Sequence, residues 1–82
     1  MKVELTSFAK KQLKKIPKRE TIKIARRMLS LRQDPYLGKK LDGKLSYLYS
    51  LRAWPYRILY SINKQKTILT IETIEHRQSA YK

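Results

Sequence analysis

Two periods divide the chain. Between Ser7 and Gln33 apolar residues recur every three or four positions, the spacing of an amphipathic helix; between Tyr47 and Ile74 they alternate, as in half-buried strands. A short alternating run comes first. Val3 and Leu5 fall on one side and Lys2 and Glu4 on the other, so Lys2 to Thr6 is predicted as a strand.

The first predicted helix is capped by Thr6 or Ser7. Phe8, Ala9, Leu13 and Ile16 share one sector of it, Lys10, Lys11, Lys14 and Lys15 lie outside, and Pro17 ends it. A second helix runs from about Arg19 to Gln33. Ile22, Ala25, Met28 and Leu29 line its expected buried face, which Ile24 and Leu31 widen, while Lys23, Arg26, Arg27 and Ser30 take the other side. Asp34-Pro35 stops it, because a residue before proline disfavours the helical region.

After the turn signal Asp42-Gly43, three segments rich in aromatic and β-branched residues read as strands: Tyr47 to Ala53, Tyr56 to Ile62 and Thr67 to Ile74. Pro55 separates the first two, and residues 63–66 form the polar tip between the second and third. Links this short favour antiparallel neighbours. The expected fold class is therefore α+β: an N-terminal strand, a two-helix hairpin, then a three-stranded antiparallel meander, with the helices packed on one sheet face. Residues 1–82 show no repeat or linker and read as a single domain.

Composition adds a strong electrostatic signal. Twenty Lys and Arg face six Asp and Glu, a net charge of +14 with a pI near 10.3. Such an excess favours a polyanionic partner, nucleic acid first, since each neutralised phosphate releases counterions. An acidic protein or a ribosomal surface would use the same field. There is no cysteine for disulfides or thiolate metal sites, and no apolar run of membrane-spanning length or signal-peptide type, so cytoplasm is the expected compartment.

Alternation also sorts the candidate chemistry. Tyr49, Leu51, Ile58 and Ile62 fall on the expected core face, which sends Arg52 and Arg57 to the open face on neighbouring strands. With an arginine from the tail that follows, they would form a phosphate-sized site, because a guanidinium can hold a phosphate through two hydrogen bonds. Spacing alone also allows solvated arginines, or arginines paired with Glu72 or Glu75. On the last strand Ile68, Thr70, Glu72 and Ile74 share one face by the same alternation. Tyr49, Tyr56 and Tyr60 read as inward sheet residues, whereas Tyr81 sits in a polar tail with no apolar stripe to join. His76 is the lone histidine. No Gly-rich phosphate loop, nucleophile elbow or carboxylate cluster for Mg²⁺ occurs, so no metal or organic cofactor is implied and any catalysis falls to Arg, Tyr, His and Lys.

Four segments taken in order, Lys40-Leu41-Asp42-Gly43, Leu48-Tyr49-Ser50-Leu51-Arg52, Tyr56-Arg57-Ile58-Leu59-Tyr60 and His76-Arg77-Gln78-Ser79-Ala80-Tyr81, resemble the RelE/ParE toxin superfamily. The resemblance spans nearly the whole chain. It implies a toxin that enters the ribosomal A site and cleaves mRNA, held silent by a cognate antitoxin with an amphipathic, acidic segment. Carried over, Arg57 and Arg77 would stabilise the transition-state charge. Tyr81 would stack on a base or help deprotonate the 2′-hydroxyl, and His76 would protonate the leaving 5′-oxygen. Arg52 would add to the catalytic set. Lys44, Arg52, Lys23, Arg26 and Arg27 would extend the RNA contact. The RelE pattern has two lysines where this chain has Leu48 and Ser50. Two other readings stay open: a ParE-like inhibitor that binds DNA gyrase, and an RNA-binding relative that does not cut.

Overall fold

The computed structural model describes residues 1–80, and side chains as far as residue 78. β1 (Lys2–Leu5) leads into α1 (Ser7–Lys15) and α2 (Lys18–Gln33). A two-residue strand, β2 (Lys39–Lys40), and a 3₁₀ turn at Gly43–Leu45 precede the meander of β3 (Tyr49–Ala53), β4 (Tyr56–Asn63) and β5 (Ile68–His76). One helical turn, α3 (Arg77–Ala80), follows.

The strands form one five-stranded sheet in the order β1-β5-β4-β3-β2. The meander is antiparallel as expected, but β1 closes the sheet by pairing parallel with β5, Val3 opposite Leu69. β2, absent from the sequence reading, pairs antiparallel with β3 and edges the other side. It is too short and too basic for alternation to announce it.

Thr6 joins strand to helix. Its Oγ1 accepts from Ala9 N at 3.0 Å, capping α1, and donates to the Glu72 carbonyl at 3.1 Å. Beyond Leu5 the edge of β5 loses its strand partner. Gln12 of α1 takes over: its Oε1 accepts from Ile74 N at 2.7 Å and from Thr73 Oγ1 at 3.2 Å.

The core joins Ala9, Ile24 and Leu31 of the helices to Leu51, Ile58, Tyr60, Leu69, Ile71 and Ile74 of the sheet. Burying each Ile or Leu there contributes about 1.5–3 kcal/mol. Three sequence expectations need correction. Phe8 is 61% exposed, because α1 turns Ala9 into the sheet. On α2 the deeply buried pair is Ile24 and Leu31, one heptad apart, while Ile22, Ala25 and Leu29 face outward. Apolar residues cover more than one side of this helix, and the sheet selects which side packs. Finally, strict alternation fails on β5. Leu59 pairs with Thr73 but Tyr60 with Ile71, leaving Glu72 as a bulge, so Ile71 and Ile74 are both buried.

No helix among the described residues is long and apolar enough to cross a membrane.

Candidate functional site

The β3–β4 hairpin turns through only Trp54 and Pro55, so Ala53 pairs with Tyr56 and Arg52 with Arg57. Leu51, Ala53 and Ile58 point into the core, and alternation therefore puts both arginines on the open face. The Arg52 carbonyl accepts from Arg27 Nε at 3.1 Å and so points away from β4. That makes Arg52–Arg57 a non-hydrogen-bonded pair, the narrower of the two antiparallel spacings, with side chains closest together. Like charges directly opposed destabilise a sheet.

A third cation joins from the edge strand. Lys39 pairs with Ser50, two residues before Arg52 on the same face of β3. Lys39, Arg52, Arg57 and Arg27 line one groove with Ser50, and Asp42 is the acid on its rim. Lysine is thus supplied across the strand from Ser50. Sequence reasoning missed Lys39 because its relevance depends on a two-residue pairing; the Lys39-Lys40 doublet after Gly38 was the available signal.

A tyrosine in the core fixes where Lys39 lies. The hydroxyl of Tyr60, a fully buried residue, donates to the Pro35 carbonyl and accepts from Gly38 N, both at 2.9 Å. A Cβ on Gly38 would stand 2.7 Å from that hydroxyl and 2.9 Å from the Ser50 carbonyl, so only glycine lets the chain pass. Burial pushes the Tyr60 phenol above its ordinary pKa, more than the Gly38 hydrogen bond lowers it. Tyr49 stacks on Tyr60 with ring centroids 5.4 Å apart.

The acids are mostly engaged elsewhere. Glu4 pairs with Lys2 at 3.3 Å, Glu20 with Lys23 at 3.2 Å, Glu72 accepts from Ser61 Oγ at 2.8 Å, and Asp34 accepts from Tyr36 N at 3.2 Å. Glu75 of β5 stands directly opposite Arg57 of β4. Of the arginine pairings that spacing had left open, Glu72 is directed to Ser61 and Glu75 is in register.

Arg77 opens α3 beside the hairpin turn. Its N–H donates to the Pro55 carbonyl at 2.8 Å, and its guanidinium carbon lies 4.6 Å from the Trp54 ring centroid. Arg52, Arg57 and Arg77 therefore gather at one end of the sheet. His76 does not join them. It pairs with Tyr56 on the helix-packed face, its ring edge-on to that tyrosine at 5.1 Å, and its Nδ1 accepts from Gln78 N at 3.2 Å. Glu75, the residue before it, is the one that pairs with Arg57, so His76 turns to the opposite face from that arginine. Lys44 lies exposed in the 3₁₀ turn, and Lys23 and Arg26 lie exposed on α2. Tyr81 lies outside the described residues. No cluster of three or more His, Asp or Glu that could hold a metal occurs among the described residues.

Residues 3–81 match the family model for the ParE toxin of the type II toxin–antitoxin system parDE. Toxin RelG of Mycobacterium tuberculosis is 32% identical over 83 residues, covering 98% of this chain and 94% of the relative. A chain of the toxin–antitoxin complex RelBE2 from the same organism superposes with a TM-score of 0.86 at 31% identity, covering 93% of this chain and 96% of that one. Isolated RelE of E. coli superposes with a TM-score of 0.79 at 17% identity, covering 98% and 94%, a likeness of fold.

Proposed function

The chain belongs to the RelE/ParE toxin family of toxin–antitoxin systems, and we propose that it acts as a RelE-type endoribonuclease, cutting mRNA on the ribosome without a metal. The observation that carries this reading is the opposed Arg52–Arg57 pair with Lys39 in the same groove. The family makes this a toxin; the cation cluster supports a polyanionic target. Two guanidinium groups at the closest cross-strand spacing suit an anion that both can hold.

In the proposed reaction the RNA 2′-hydroxyl loses its proton to a base, and its oxygen bonds to the adjacent phosphorus. The bond to the 5′-oxygen breaks, and that oxygen takes up a proton, leaving a 2′,3′-cyclic phosphate and a 5′-hydroxyl. Arg57 and Arg52 stabilise the extra negative charge of the five-coordinate phosphorus, and Lys39 adds to the field. Arg77 flanks the site. Tyr81 is proposed as base or stacking residue. Lys44, Lys23, Arg26 and Arg27 extend the contact with the polyanion around the fold.

The relatives supply the partner. RelBE2 of M. tuberculosis is a toxin–antitoxin complex, and RelE of E. coli occurs in complex with its antitoxin RelB. The same arrangement is proposed here, with residues 1–82 as one cytoplasmic toxin domain silenced by an antitoxin that brings an acidic, amphipathic segment.

Mapping RNA ends in a translating extract tests this reading. Cuts within ribosome-bound codons, ending in cyclic phosphate, are expected; intact transcripts refute it. The matching ParE family model favours a second reading, a toxin that binds DNA gyrase. Relaxed plasmid DNA alongside intact mRNA would select that one.

A further inference from the structure

An exposed indole stands where the two arginine-bearing strands turn. Trp54 is the chain's only tryptophan and is 55% exposed. A single exposed apolar ring is ordinary on a protein surface. What distinguishes Trp54 is how it is held. The Arg77 guanidinium lies over the ring at 4.6 Å, and Arg77 N donates to the carbonyl of Pro55, the next residue after the tryptophan, at 2.8 Å. Turn and α3 are thereby fastened together, and the cation orients the ring through its π face.

The surroundings give the plane a purpose. Arg52 lies two residues before Trp54 and Arg57 three residues after it, opposed across the hairpin on the open face. Guanidinium groups beside an exposed aromatic plane match what single-stranded nucleic acid presents, phosphates at regular intervals and unpaired base faces between them. A paired duplex keeps its base faces covered and cannot use such a plane.

We propose that Trp54 is a nucleobase-stacking platform, holding one base of a single-stranded RNA on its open face while Arg52 and Arg57 take neighbouring phosphates. This rests on the RNA reading above and adds the residue that grips the base next to the cut. Arg77 keeps the indole in place from the other side.

The chain carries its own probe, since all indole emission comes from Trp54. The intact wild-type protein is titrated at low salt with a dye-labelled single-stranded RNA of about eight nucleotides, within the usual site size. Dye anisotropy reports binding and indole emission reports stacking. Emission is expected to fall in step with the anisotropy rise, and inorganic polyphosphate of matched charge should leave it nearly unchanged. Trp54→Leu should weaken RNA binding on the order of tenfold, whereas Trp54→Phe should stay near wild type. An anisotropy rise with unchanged emission, equal quenching by polyphosphate, or wild-type affinity in Trp54→Leu would each overturn the platform while sparing the RNA reading. No anisotropy rise at all, with emission responding only to an antitoxin peptide, would overturn both.

Discussion

Arg52 and Arg57 face each other across β3 and β4 with their side chains on the same open surface. Their mutual repulsion opposes stability, whereas a bound polyanion gains from both guanidinium groups. Arg52→Gln should therefore separate the two. Toxicity and cleavage should fall, while the melting temperature holds or rises and responds less to added salt, which already screens the repulsion in the parent. Arg57→Ala should cost on the order of 100-fold in cleavage rate if it meets the transition-state charge. Thermal melts at low and high salt, run beside a single-turnover cleavage assay, check both.

Lys39 stands across β2–β3 from Ser50, so either position delivers a cation to the same patch. Lys39→Ala should slow cleavage modestly, since one partly solvated charge contributes about 1 kcal/mol, roughly fivefold in rate. Adding Ser50→Lys to that variant should restore most of the loss. A rescue that fails would remove Lys39 from the site.

Tyr60 ties the core to the loop that carries Lys39. Tyr60→Phe leaves Gly38 N–H and the Pro35 carbonyl without this partner and should cost about 1–3 kcal/mol in denaturant unfolding. Its pH signature is specific. Because burial raises the folded-state pKa, the neutral phenol's contribution is complete below the ordinary value near ~10 and is lost as pH climbs through the folded value. The parent should lose stability above that point more steeply than Tyr60→Phe.

Gln12 completes the sheet where β1 ends, accepting from Ile74 N at 2.7 Å. Gln12→Leu should leave that amide unpartnered, cost about 1–3 kcal/mol and raise hydrogen exchange at Ile74 relative to Leu69, which lies opposite Val3. Equal protection at both positions would show that α1 covers the edge without this bond.

Periodicity made much of this legible. Alternation put Arg52 and Arg57 on the open face and Tyr60 inward, and a cap at Thr6 or Ser7 and the Asp34-Pro35 stop bounded the helices. Relations that depend on a partner were not legible. The bulge at Glu72 arises between two strands, so β5 alone could not announce that Ile74 rejoins Ile71 in the core. Ile24 and Leu31 outcompete Ile22 and Leu29 because the sheet's surface, not the helix's own pattern, decides the packed side. His76 fell in line with Arg77 along the chain, yet on β5 it is Glu75 that pairs with Arg57, and the next residue, His76, turns to the opposite face beside Tyr56.

The parallel pairing of β1 with β5 also orders events during synthesis. Residues 2–5 leave the ribosome well before their sheet partners, residues 68–71, are made. A nascent chain can form the helices and the β3–β4 hairpin early, yet β1 waits unpaired until residues 68–71 have emerged. The completed sheet therefore exists only once β5 has been made, and a partner that needs the whole scaffold cannot meet it earlier.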